Sequence, residues 1–192
     1  MQPKSLHFLS PNIISSFISL LFLIIFLILS HNIKAQKLST EDKIKASYIY
    51  NFIRFINWPM ENNQKVSKVI NVCSFSSSNH FFKAFGPVTG KQVRGRKIIL
   101  HKITNPKQVA HCDLLYIDKG KKSNLGEILP LINKYSILSV SDINNFCNQG
   151  GMICLVKSKG RIGVQINLKV ARTAGFNISS NLLEVATIVS SQ

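Results

Sequence analysis

The stretch VINVCSFSSSNHFFKAFGPVTGKQVRGRKIILHKI, residues 69–103, decides the fold class. It opens on a short apolar run, VINVCSF (Val69 to Phe75), and closes on another, KIILHKI (Lys97 to Ile103). Both runs are rich in β-branched residues and bounded by turn formers, the pattern of a buried strand. Between them, SSNHFFKAFG reads as a short helix ended by Gly86, and GKQVRGR as a basic, turn-rich link into the second strand. Strand, helix and strand in that order make a βαβ unit, which lays its two strands parallel.

The rhythm continues downstream. NPKQVAH reads as a helical turn, CDLLYID (Cys112 to Asp118) as a third strand, LGEILPLINK as a helix interrupted by Pro130, and SILSVSD (Ser136 to Asp142) as a fourth strand. Near-continuous apolar runs of this kind suit a parallel sheet covered on both faces. MICLVKSKGRIGVQIN then holds two apolar runs around Ser158, Lys159 and Gly160, which is hairpin chemistry and adds an antiparallel pair. LKVARTAG reads as a helix capped by Gly175, and SSNLLEVATIV as a second helix starting near Ser179 or Ser180. Upstream, Ser39 followed by Asp42 marks a helix start, and Ile44, Tyr48, Ile49, Phe52, Ile53 and Ile56 recur at helical spacing until Trp58 and Pro59. The aromatic residues of this helix read as its core-facing stripe. With no internal repeat and no long linker, the expectation is one α/β domain. Its central sheet is mostly parallel, flanked by helices, with a C-terminal antiparallel hairpin.

Ahead of that domain, IISSFISLLFLIIFLILS (Ile13 to Ser30) contains no charged residue. A cleavable signal core runs about 7 to 15 residues and a membrane span about 17 to 25, so the length alone leaves both open. Ser15, Ser16 and Ser19 weaken the front half, and Ile33 and Ala35 form an imperfect A-x-A site. Residues 1–35 are therefore expected to be a signal peptide, membrane-anchored if uncleaved, and residues 36–192 the exported α/β domain. Export of the rest of the chain follows in either case.

Of 192 residues, 24 are Lys or Arg and 8 are Asp or Glu. Removing residues 1–35 deletes Lys4 and Lys34, which leaves 22 basic against 8 acidic residues, a net charge of +14. The basic residues are scattered, so the charge reads as a solvated, non-specific surface, or as one that meets anionic lipid, cell-wall polymer or an acidic partner face rather than nucleic acid. The basic turn carrying Lys91, Arg94 and Arg96 is the candidate interaction surface, and a small anionic ligand or cell-wall polymer is the alternative reading of the whole chain.

Catalytic motifs are missing. Neither G-x-G-x-x-G nor a Walker A occurs, nor G-x-S-x-G, nor H-E-x-x-H, and no pair of carboxylates is marked for acid–base work. His80, His101 and His111 stand singly at element ends or on surfaces. No cofactor and no metal is expected. Zinc knuckles draw on cysteines two to four residues apart, whereas Cys73, Cys112, Cys147 and Cys154 are 39, 35 and 7 apart, and Cys112 with His111 is at most a half-site. No C-x-x-C is present. In an exported chain an even number of cysteines reads as disulfides. Cys147 and Cys154 can meet across Gly150 and Gly151, closing a loop worth roughly 2.5 kcal/mol, and Cys73 with Cys112 would close one worth roughly 4 kcal/mol. As strand neighbours, Cys73 and Cys112 would need an offset register, and a Cα separation above about 7 Å would forbid the bridge.

Taken together, YIYNFIRFINWP (Tyr48 to Pro59), GKQVRGRKI, CDLLYI, ILSVSD, FCNQGGMI, RIGVQIN and ARTAGFNISSNLLEVA (Ala171 to Ala186) resemble the YfiR-type periplasmic repressor family. The motifs run in family order over about residues 43 to 189. The resemblance implies a non-catalytic exported domain that binds the periplasmic region of an inner-membrane diguanylate cyclase and keeps cyclic di-GMP synthesis low. It implies that an OmpA-like outer-membrane lipoprotein sequesters the repressor, releasing exopolysaccharide production and biofilm formation. It also pairs Cys73 with Cys112 and Cys147 with Cys154, and implies that their redox state tunes repression. It leaves the cognate cyclase, the binding face and a possible homodimer open.

Overall fold

A computed structural model describes residues 39–59 and 67–190, together with Leu21, so the leader expected at residues 1–35 lies, that residue apart, outside the described residues. Among them no helix is long and apolar enough to cross a membrane. Ser39 caps helix α1 (Thr40–Phe55), its hydroxyl accepting from the Asp42 amide at 3.1 Å. The helix ends three residues before Trp58, because Ile56–Asn57 leave as a two-residue strand, β1, that pairs antiparallel with β9 (Asn177–Ile178). Its buried stripe is Lys45, Ala46, Ile49, Phe52 and Ile53, continued by Ile56. Ile44, assigned to that stripe by its spacing, is instead 40% exposed. Each large apolar side chain of the stripe contributes roughly 1.5–3 kcal/mol by leaving water.

The main sheet has eight strands: β2 (Val69–Phe75), β3 (Gln92–Val93), β4 (Arg96–Ile103), β5 (Leu114–Ile117), β6 (Leu138–Ser141), β7 (Ile153–Ser158), β8 (Arg161–Asn167) and β10 (Thr187–Val189). Their spatial order is β10-β8-β7-β6-β5-β2-β4-β3. β4, β2, β5, β6 and β7 run parallel, as the apolar runs predict, and the β7–β8 hairpin is antiparallel. Lys159 and Gly160 both have positive φ, +46° and +76°, which is the two-residue turn that the right-handed twist of a hairpin favours. The mixed α/β domain expected from sequence is the fold.

Four local readings need correction. The basic link holds a strand of its own, since β3 folds back on β4 through Arg94 and Gly95, at φ +50° and +76°. The third strand begins at Leu114, and Cys112 instead caps the 3₁₀ turn Pro106–His111. Pro130 does not interrupt its helix, α3 (Leu125–Lys134), which runs through it. After helix α4 (Leu168–Thr173), the last apolar segment is a five-residue helix, α5 (Ser180–Glu184), and then β10, which extends the sheet by pairing parallel with β8.

Register assigns the two faces. Paired residues of parallel strands share a face, so Cys73, His101 and Leu115 lie on one side and Ser74, Lys102 and Tyr116 on the other. The Cys73 face is covered by the 3₁₀ turn Pro106–His111 and by α3 packed beside it. α1 and α2 (His80–Phe85) cover the opposite face, where the Phe81 ring lies 4.2 Å from that of Tyr116.

Candidate functional site

A doubly wound sheet binds ligands where its strand order reverses, beyond the carboxyl ends of its strands. In this domain the first turns of α1 occupy that place. Lys45 reaches Asp142, just past β6, at 2.6 Å and Glu41 at 2.7 Å, while Asp42 approaches His80, at the start of α2, at 3.8 Å. The Lys119 amide donates to Asp142 at 2.7 Å, and Lys157 to Glu41 at 2.7 Å. Burial works against the charge on Lys45, but its hydrogen bonds to Asp142 and Glu41, with their charges, outweigh it and hold the ammonium above its usual pKa. Hydrogen bonds from Lys157 and then Lys45 bring Glu41 down to about 2. The Tyr116 hydroxyl is raised by burial and by the charge of Asp142, so it stays protonated. These groups neutralise one another, and the crevice is closed by the chain itself.

Open space lies at the other end of the strands. A cleft of about 520 Å³ is lined by Trp58, Arg94, Arg96, Cys112, Asp113 and Lys134, among others. Arg96, the first residue of β4, donates to the carbonyls of Ser67 at 2.9 Å and Val69 at 2.7 Å, and pairs with Asp113 at 3.4 Å. Asp113 accepts in turn from the Asn71 amide at 2.6 Å. Arg94 donates to the Arg54 carbonyl at 2.8 Å and to Asn57 at 2.6 Å, satisfying the end of α1. The Arg96 guanidinium stands 5.9 Å from the centroid of the Trp58 ring, which packs edge-on against Phe176. Of the three basic residues singled out in sequence, Arg94 and Arg96 therefore line the cleft while tying backbone together. Lys91 lies outside the cleft lining, its ammonium 5.6 Å from the Tyr50 ring.

Both expected disulfides are present. Cys73 and Cys112 have Cα atoms 5.7 Å apart, and Cys147 and Cys154 5.9 Å. The offset-register difficulty for the first pair disappears because Cys112 is not a strand residue: the 3₁₀ turn brings it over the face of the sheet onto Cys73. The second bridge does not cross a β-hairpin. Cys147 opens a 3₁₀ turn, Cys147–Gln149, and Cys154 belongs to β7, so the bond ties a turn to a strand. Gly150 ends the turn at φ +99°, and a Cβ at Gly151 would run into the buried Phe146 ring, so both glycines are required here. The Asn167 amide donates to the Cys147 carbonyl at 2.9 Å and fastens the turn to the end of β8.

Trp58, Lys134 and Tyr135 as cleft residues, and Lys45 as a buried charge, are additions of the structure to the residues expected from sequence. For the cleft residues no local signal exists, since the turns before four strands supply it. Lys45 carried one: it lies four residues before Ile49, in step with the buried stripe.

A family model described as YfiR/HmsC-like matches residues 42–187. Among solved structures, the chain is similar to an ABC domain in complex with L-Trp from Streptococcus pneumonia, at 13% identity and a TM-score of 0.47, over 63% of this chain and 55% of that one. It is also similar to a ligand-free, open substrate binding protein with adhesive properties from Clostridium difficile, at 15% identity and a TM-score of 0.45, over 66% of this chain and 56% of that one. The chain thus spans just over half the length of these two structures.

Proposed function

The chain belongs to the YfiR/HmsC-like family, and from that premise we propose that it is a non-catalytic exported regulator of an inner-membrane diguanylate cyclase. In this reading residues 1–35 direct export and residues 36–192 bind the periplasmic region of the cyclase, holding cyclic di-GMP synthesis down. An OmpA-like outer-membrane lipoprotein is the partner that would relieve repression and release exopolysaccharide and biofilm formation. The observation that carries the reading is the family match, which spans residues 42–187. Two disulfides among the described residues are consistent with a periplasmic setting. Deleting the gene is expected to raise cellular cyclic di-GMP, and membrane pull-down with the full chain to recover a cyclase. An unchanged cyclic di-GMP level would overturn it.

The cleft favours a second reading, a binder of a small anionic ligand or of cell-wall polymer. Two of its cations, Arg94 and Lys134, are exposed, and Lys134 stands beside Tyr135 with the ammonium 5.3 Å from the ring. Because Arg94 and Arg96 also hold backbone, the clean test is charge reversal at Lys134 and Lys91. Lys134→Glu is expected to weaken retention on an anionic matrix more than Lys91→Glu, which lies outside the cleft. Equal effects would reduce the cleft to general surface charge.

A further inference from the structure

Sequence spacing argues against a metal site at the cysteines, because residues 39 apart cannot form a knuckle. The fold removes that objection. One ligand atom each from Cys73, Cys112 and His111 lie within 4.8 Å of one another, and no other such group of three occurs among the described residues. The Cys147–Cys154 bridge thus has no comparable third donor.

We propose that, once reduced, Cys73 and Cys112 form with His111 a metal site that takes a borderline ion of the zinc type. In the bridged state the sulfurs are bonded to each other and are poor ligands. A dithiol reductant supplies two electrons and two protons: the S–S bond breaks, two thiols form, and the reductant becomes a disulfide. The ion then displaces both thiol protons and is held by two thiolates and the neutral imidazole, with a fourth position left for water. Thiolate and imidazole donors select zinc-type ions over magnesium or calcium.

The site survives loss of the bond because neither cysteine owes its place to it. Cys73 sits within β2, paired with β4 on one side and β5 on the other. Cys112 is fixed by its amide, which donates to the Val109 carbonyl at 2.9 Å at the end of the 3₁₀ turn. His111 is exposed, which gives an ion a way in. Beside it stands His101, strand-paired with Cys73, bonded to Asn71 at 3.0 Å and 5.3 Å from His111 between ring centroids. Binding to the reduced form alone also makes the ion protect the dithiol from reoxidation by mass action.

The site stands independently of the regulatory reading. Its test uses the full chain, oxidised or reduced with a phosphine, titrated with Zn²⁺ and followed by calorimetry. One equivalent is expected to bind the reduced chain and none the oxidised chain. His111→Gln, a surface change that leaves the fold intact, is expected to weaken binding at least about tenfold, the least that loss even of an outer-shell partner costs. Zn²⁺ is also expected to slow alkylation of Cys73 and Cys112 but not of Cys147 and Cys154, read by peptide mapping. Equal uptake by the oxidised chain, no uptake by the reduced chain, insensitivity to His111→Gln, or equal protection of all four cysteines would each overturn the proposal.

Discussion

Replacing Lys45 with alanine is expected to lower the unfolding free energy by about 3–5 kcal/mol, the effect of removing one partner from a buried ion pair. The Lys45 side chain is 7% exposed and that of Asp142 is 6% exposed, so the truncation leaves a carboxylate in a dry site with its charge uncompensated. The Lys119 amide would still donate to that carboxylate, but an amide brings no full charge. A surface pair, by contrast, is worth at most about 1 kcal/mol. Chemical denaturation of Lys45→Ala, Asp142→Ala and the double variant separates the two cases. A double variant that regains part of the single loss identifies the unpaired charge as the cause. A loss near 1 kcal/mol for Lys45→Ala would mean that water reaches the pair.

Acid should loosen the same cluster. Glu41 titrates near 2 in the folded chain and near 4.5 ordinarily, so its contribution is complete above about pH 4.5 and disappears as pH falls toward 2. The loss is expected to be roughly 1–2 kcal/mol, less than the full shift implies, because Glu41 remains partly in solvent. Lys45, held above its ordinary 10.5, keeps its charge through this range, and its contribution fades only in strong alkali. Thermal unfolding followed from pH 6 to 2 should therefore fall less in Glu41→Gln than in the unaltered chain.

The parallel sheet was legible because each of its strands is a short apolar run between turn residues, a local property of the chain. The β7–β8 hairpin was legible for the same reason, Lys159 and Gly160 declaring the turn. What escaped depends on tertiary placement. Two-residue strands such as β1 and β9 gain their identity only from each other. In LLEVATIV the apolar residues suit a helix as well as a strand, and the free edge of β8 selects the strand for Thr187–Val189. The spacing of Lys45 put it in step with the buried stripe, but not its partner: a buried ammonium is tolerable here only with Asp142, 97 residues away. The cleft was hidden in the same way: Ser67, Arg96, Asp113 and Ser136 are far apart in sequence and meet because parallel strands put their amino ends together.

The second large effect concerns the disulfides and is expected to be unequal. Cys73→Ala with Cys112→Ala should cost about 4 kcal/mol, and Cys147→Ala with Cys154→Ala about 2.5 kcal/mol. The order comes from the unfolded state: the first bond closes a separation of 39 residues and the second one of 7, so the first removes more freedom from the denatured chain. The folded state pulls the other way. Cys73 and Cys112 keep their backbone hydrogen bonds without the bond, whereas the Cys147 amide donates to Cys154 Sγ at 2.8 Å, a contact that the second pair of substitutions also removes. Urea unfolding of the two double variants decides which contribution governs. The larger loss in Cys73→Ala/Cys112→Ala places the stabilisation in chain entropy. A reversed order would place it in the 3₁₀ turn, where Cys147, Phe146 and Asn167 lock the end of β8, and would make that turn the part of the domain most sensitive to reduction.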